Sequence, residues 1–203
     1  MSPRFLSCFL LVLGSAFLSA AASTFDIAYL GQARAVIVTG KDPSPVVRRM
    51  AVELTNYLDW IVEKARFRIA ERPVGGKNTI RLGAPYQGKP DEIAVFINKK
   101  GELEVTGVGE RGIAYATYAR LEQLGCRFWA PDQETVPAAK TLSLPKDFRQ
   151  VEAPAFDYRE ACGEQCYNVV WRNKLRLTDR LHDSGEALAG LTPKQCIQTH
   201  PDW

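Results

Sequence analysis

Thr106-Gly-Val-Gly-Glu-Arg-Gly-Ile-Ala-Tyr-Ala-Thr-Tyr-Ala-Arg-Leu-Glu-Gln-Leu-Gly-Cys-Arg-Phe-Trp-Ala-Pro131 is the stretch on which the fold turns. A strand-like run, Glu102-Leu-Glu-Val-Thr106, leads into it. Glycines follow at 107, 109 and 112, and a helix then runs to Leu124. Ile113, Ala114, Thr117, Tyr118, Leu121 and Leu124 share one helical stripe, while Glu122 and Gln123 point away. Gly125 is a natural residue to end the helix, because it takes a left-handed conformation without a Cβ clash. On its face the pattern is strand, Gly-x-Gly-x-x-Gly, helix, the dinucleotide fingerprint. Asp132 even stands 20 positions beyond Gly112, where such a motif holds a ribose. The context disagrees. The entering strand is the second arm of a hairpin (residues 92–97, a turn at Asn98-Lys-Lys-Gly101, residues 102–106), not the first strand of a βαβ unit. Asp132 follows Pro131 in a turn. The glycines therefore read as a tight turn that lets the helix pack closely on a sheet, and no cofactor is expected.

Upstream, Ala33-Arg-Ala-Val-Ile-Val-Thr39 alternates and is β-branched, as a strand is. Ser44 is a good N-cap with Pro45 at the first helical position. Val47, Ala51, Leu54, Leu58 and Ile61 then fall on one face of a helix to about residue 64. Short strands follow at 67–70 and 78–82, then the hairpin. Downstream, Thr135-Val136 and Lys140-Thr-Leu-Ser-Leu144 read as short strands. The order β-α-β-β-β-β-α-β-β predicts an α/β fold, a two-layer sandwich of a mixed sheet and two main helices.

Before this unit, Arg4 and the apolar run 5–18 precede Ser19-Ala-Ala-Ala-Ser23. That is the pattern of a secretory signal peptide over 1–22 with an Ala20-x-Ala22 cleavage site. The α/β domain then spans 23–146, a linker 147–154, and a further region 155–203. Secretion or export to a periplasm is the expected localisation, with no membrane partner after cleavage. Removing Arg4 takes the formal charge from +3 to +2, with no basic cluster of the kind that binds nucleic acid. Cys126, Cys162, Cys166 and Cys196 remain, in a compartment that permits disulfides. Their pairing is open, since four cysteines allow three connectivities. Cys162-x3-Cys166 and Cys196-x3-His200, with His182 between, also invite a zinc reading. Neither the spacing nor the compartment supports it, and no metal is expected.

The helix stretch carries a family resemblance. Arg111-Gly-Ile-Ala-Tyr-Ala-Thr-Tyr-Ala-Arg-Leu-Glu-Gln-Leu-Gly-Cys-Arg-Phe-Trp-Ala-Pro131, followed by Val136-Pro137, is similar to the R-G-T-L-Y-A-V-Y-x-F-L-E-x-L-G-C-R-W-x-x-P … V-P signature. That signature marks the N-terminal domain of α-glucuronidase-like glycoside hydrolases of family 67, and of related bacterial proteins that carry the domain before a barrel. Past the linker, Pro154-Ala-Phe-Asp-Tyr-Arg159 resembles the first strand of the catalytic domain, and Trp171-Arg-Asn-Lys-Leu175 its early R-N-R-L segment. Residues 191–203 resemble L-V-P-x-x-Y-F-x-x-H-P-E-W, with Cys196 near the place of an aromatic pair. The resemblance implies an incomplete beginning of a (β/α) barrel over 155–203.

Glycoside hydrolysis uses two carboxylates roughly 5–9.5 Å apart, set at the C-terminal ends of barrel strands. By the resemblance those acids lie beyond Trp203, so no catalytic residue is assigned and the piece alone is expected to be inactive. Arg159 and Glu160, just after the expected first barrel strand, are candidate substrate-binding residues, since an Arg there can donate to sugar hydroxyls or a uronate. The resemblance adds Arg172 and Asn173. Phe128 and Trp129 suggest a sugar platform but suit packing at the end of a core helix better. The expected function is an exported carbohydrate-active protein, the accessory domain of a glycoside hydrolase, with a carbohydrate substrate and its own C-terminal barrel as partners. The competing reading is a non-enzymatic glycan-binding or domain-packing module; a nucleotide-dependent oxidoreductase is disfavoured.

Overall fold

The computed structural model describes residues 24–63, 65–161 and 168–178. The signal-peptide reading, Cys162, Cys166, Cys196, His182, His200 and the 191–203 resemblance lie outside the described residues.

The main sheet begins with β3 (Ala35–Val38), following the short β1 (Thr24–Tyr29) and β2 (Gln32–Ala33). Helix α1 (Pro45–Ile61) then leads to β4 (Ile69–Ala70) and β5 (Asn78–Leu82). The hairpin is β6 (Ile93–Ile97) and β7 (Leu103–Gly107), and α2 (Gly109–Gln123) follows directly. Next come β8 (Arg127–Ala130), β9 (Gln133–Thr135), β10 (Leu142–Pro145), β11 (Arg149–Glu152) and α3 (Val169–Lys174). Six strands form a mixed sheet in the order β11-β6-β7-β5-β3-β4. Its β4, β3, β5 and β7 are mutually parallel; β6 runs against β7, and β11 against β6. A second, antiparallel sheet has the order β10-β1-β2. This is the expected α/β class with a mixed sheet.

Local chemistry explains the helices. Ser44 Oγ accepts from the Val47 N–H at 3.3 Å and Pro45 opens α1, as capping rules require. The α1 stripe Val47, Met50, Ala51, Leu54, Leu58 and Ile61 is buried. It shares one core with Ile27 of β1, Ile80 of β5, Leu103 and Val105 of β7 and Leu121 of α2. Each such side chain contributes roughly 1.5–3 kcal/mol on burial. Helix α2 is not a one-faced helix. Ala114 through Leu121 are all buried, so material covers its back as well as its front.

Gly107 and Gly112 do what the sequence suggests. A Cβ on Gly107 would lie 2.5 Å from the Gly112 carbonyl oxygen and 2.6 Å from that of Glu92. A Cβ on Gly112 would lie 2.9 Å from the Gly107 carbonyl carbon. The end of β7 and the first turn of α2 touch backbone to backbone, and the Glu92 carbonyl, which accepts from the Val108 N–H at 2.9 Å, fills the space beside them.

Three local expectations change. The chain pairs from Thr24, not from Ala33: β1 lies against β10, with Phe25 opposite Leu144, a partner no local pattern reveals. The stretch 147–154, expected as a linker, supplies edge strand β11, whose Val151 stands opposite Ala94. Residues 155–159, expected as a strand, form none. Phe156, Asp157 and Tyr158 are exposed, and Arg159 is drawn back onto the first domain.

Candidate functional site

What covers the back of α2 is the segment after β11. Tyr115, on the side of α2 away from its expected stripe, donates its hydroxyl to the Leu177 carbonyl at 2.6 Å. Around that contact a set of charged groups ties residues 156–161 and 168–178 to the α/β unit.

Asp91 is the hub. It sits in the turn before β6 with φ of 58° and a side chain 7% exposed. One carboxylate oxygen accepts from Arg111 Nε at 3.0 Å, in the first turn of α2; the other accepts from Arg159 Nη2 at 3.0 Å. Arg159 is engaged on every side. Its Nε donates to the Arg176 carbonyl at 2.9 Å and its Nη1 to the Phe156 carbonyl at 2.6 Å. Its guanidinium lies over the Tyr115 ring, 5.7 Å from the centroid. Its carbonyl accepts from the Thr178 N–H at 2.9 Å and from Thr178 Oγ1 at 3.0 Å.

Helix α3 supplies the second tie. Asn168 caps it, accepting from the Trp171 N–H at 3.0 Å. Lys174, at its far end, is 9% exposed. Its Nζ donates to Tyr57 Oη at 2.7 Å and to Glu134 Oε2 at 2.8 Å, and sits 4.9 Å from the centroid of the Phe128 ring. The Tyr57 hydroxyl donates to the same Glu134 oxygen at 2.5 Å. Burial works against the Glu134 charge, but hydrogen bonds from Lys174 and Tyr57 hold its carboxyl below the usual range. Burial, then the Glu134 bond, pushes the Tyr57 phenol well up. A third tie pairs Arg176 with Glu122 at 3.0 Å, more exposed and therefore weaker.

Of the four candidate residues, Arg159 and Arg172 meet at Thr178, whose carbonyl accepts from Arg172 Nη2 at 2.7 Å. Arg172 is 3% exposed. Glu160 and Asn173 are half-buried. Arg159 borders a cleft of about 330 Å³, together with Asp91, Tyr115, Glu152, Phe156 and Arg176, but three of its nitrogens already donate within the chain. Phe128 packs edge-on against Tyr57 and Tyr118, while Trp129 is exposed and donates to Thr135 Oγ1 at 3.0 Å. Cys126 is a buried free thiol, which burial pushes up to about 11. Among the described residues, no group of three or more His, Cys, Asp or Glu is placed to hold a metal ion.

Sequence reasoning did not find Asp91, Lys174 or Glu134, because each acquires meaning only from partners 20 or more positions away. A faint signal was present on α2: Tyr115, Ala116 and Ala119 make its back as apolar as its front.

No protein-family model matches the sequence, and no curated protein matches it. Solved structures do. A family GH115 4-O-methyl-α-glucuronidase, with specificity for decorated arabinogalactans, superposes with a TM-score of 0.54 at 24% identity, over 66% of this chain and 19% of that enzyme. The α/β fold of this chain resembles one part of that enzyme. The match does not single out family 67. A GH20 exo-β-N-acetylglucosaminidase from Vibrio harveyi gives a TM-score of 0.42 at 14% identity, over 68% of this chain and 18% of that one; that likeness is too loose to build on. The chain spans under a fifth of the length of either structure.

Proposed function

We propose that this chain is the accessory N-terminal domain of an exported glycoside hydrolase, α-glucuronidase-like in the manner of family 67, and that its task is to seat the catalytic domain that follows. The observation that carries the reading is the tying of residues 156–161 and 168–178 onto α2 and α1. Arg159 to Asp91 and Lys174 to Glu134 and Tyr57 fix the direction in which the chain leaves the α/β unit. A module whose only work was to bind a ligand has no need of such an exit; a module that positions a neighbour does. The fold likeness to one part of a much longer glucuronidase supports the same reading. The catalytic carboxylates are then supplied by the following domain, and the substrate is a glucuronide-type or related polysaccharide reached after export.

The test is hydrolysis by the complete natural product of the reading frame that holds these residues. On a panel of glucuronoxylan, arabinogalactan and aryl glycosides it is expected to release sugar, while residues 24–203 alone release none. A complete product that cleaves no glycoside overturns the proposal, as does turnover by residues 24–203 alone.

A further inference from the structure

A second set of observations lies at the C-terminal end of α1, just past the tied Tyr57. Trp60 sits on the solvent side of that helix, 56% exposed, its ring edge-on to Tyr57 with centroids 5.0 Å apart. A single exposed indole is ordinary on a protein surface; this one has its ring set by the edge contact with buried Tyr57. It lines an open cleft of about 380 Å³ with Asn56, Asp59, Glu63 and Arg66.

Arg66 also lines a second, larger groove of about 700 Å³ and is the residue that the two depressions share. The groove has an apolar floor that includes Ala33, Val36, Ile69 and Val74, and its charged lining residues among the described residues are Arg66, Arg68 and Lys77, while the carboxylates of Asp59 and Glu63 line only the Trp60 cleft. Its volume is that of an ordinary small-ligand site. Lys77 is committed, donating from Nζ to the Ala33 carbonyl at 2.5 Å. Arg66 and Arg68 are exposed, and neither side chain makes a hydrogen bond or ion pair among the described residues. The backbone that carries them is nonetheless fixed. Asp59 Oδ1 accepts from the Phe67 N–H at 2.8 Å, and the Arg68 carbonyl accepts from the Ile37 N–H at 2.9 Å. Arg66 itself has φ of 59°, a left-handed conformation that a side-chain-bearing residue rarely adopts and that gathers at ligand sites.

We infer that Trp60, Arg66 and Arg68 form a surface site for a carboxylated polysaccharide, and none of these three side chains takes part in the hydrogen bonds of the Arg159 and Lys174 ties. One pyranose ring lies on the indole face of Trp60, the two guanidiniums take the uronate carboxylate, and the C–H face of the next unit rests on the apolar floor. Arginine suits this role because its planar fork matches a carboxylate and is weakly hydrated. The sugar assignment rests on the proposed carbohydrate-active function; the requirement for a carboxylate rests only on the groove's charge.

Affinity electrophoresis of residues 24–203 in gels containing polygalacturonate tests the inference, with the same polymer after reduction of its carboxyls to alcohols, and dextran sulfate, as companions. Retardation by polygalacturonate is expected, falling at least tenfold on carboxyl reduction and in R66Q/R68Q. Trp60→Ala is expected to weaken binding without changing its dependence on the carboxyl. Arg66 and Arg68 are exposed, so the unfolding midpoint of R66Q/R68Q should stay at the wild-type value, whereas Trp60→Ala also loses the edge contact with Tyr57 and should unfold at a slightly lower midpoint. Equal binding of the reduced polymer, equal binding by R66Q/R68Q, stronger retardation by dextran sulfate, or no retardation would each overturn the site. Failure here beside glycosidase activity in the complete product removes the site alone. Binding here without such activity removes the enzymatic reading alone.

Discussion

Arg159 and Asp91, 68 positions apart in the chain, meet at 3.0 Å with side chains 19% and 7% exposed. The pair joins the segment after β11 to the turn before β6, and through Arg111 to the first turn of α2. Removing one member of such a pair leaves the other desolvated. Asp91→Ala is expected to cost about 3 kcal/mol in urea unfolding. A double-mutant cycle with Arg159→Ala should return a coupling of about 1–3 kcal/mol. Arg111→Ala should cost less, because its side chain is 37% exposed. Additivity of Asp91→Ala and Arg159→Ala would show that the tie does not hold the segment.

The glycines of the opening stretch divide by the same structural logic. Gly112→Ala puts a methyl group 2.9 Å from the Gly107 backbone and 3.0 Å from the Glu92 carbonyl oxygen. Neither neighbour is a flexible side chain, so a loss of about 3 kcal/mol is expected. Gly109→Ala meets open space but forces a side chain to φ of 69°, for about 1 kcal/mol. Denaturant midpoints of the two variants, ranked in that order, are the check.

Glu134 gives a pH dependence of known sign. Its folded-state carboxyl is held low, against the desolvation of burial, by the Lys174 and Tyr57 hydrogen bonds. The stability it contributes is therefore present above the ordinary carboxylate pKa and lost as pH falls through the depressed folded value. The difference in unfolding free energy between wild type and Glu134→Gln should be largest at neutral pH and shrink steadily below about pH 4. A difference that does not change between pH 7 and 3 would contradict the Lys174 tie.

Cys126 is buried and its thiol is pushed up to about 11, first by burial and then by the nearby Glu134 charge. At pH 8 it should be unreactive toward iodoacetamide in the native protein and react once denaturant unfolds the core. Mass spectrometry of the labelled peptide decides; native labelling as fast as a free thiol would be incompatible with this packing.

Much of the fold was legible because its signals are local. Ser44-Pro45 and the Val47 to Ile61 spacing announce α1. The 78–82 strand was read with the bounds of β5, and Gly101, at φ of 75°, turns the hairpin as expected. Strand β1 was not read, since it directly follows the apolar leader-like run and its partner β10 lies at the far end of the domain. Strand β11 was hidden in a Pro-flanked polar stretch, where pairing with β6 overrides propensity. Arg159 was singled out for a different reason from the one its surroundings give. An Arg just after an expected barrel strand looks open to ligand, and only the fold brings Asp91, Tyr115 and the Arg176 carbonyl around it. Trp60 and Arg66 drew no attention in sequence, because an exposed Trp on a helix and an Arg after its end are individually ordinary.

The most direct test follows thermal unfolding of the complete natural product while glycosidase activity is measured in parallel, for wild type and for Asp91→Ala. If the α/β unit seats the catalytic domain through the Arg159 and Lys174 ties, Asp91→Ala lowers the midpoint of activity loss together with the midpoint of unfolding of the α/β unit. Activity that persists to the wild-type temperature while the α/β unit melts early would contradict the proposed role.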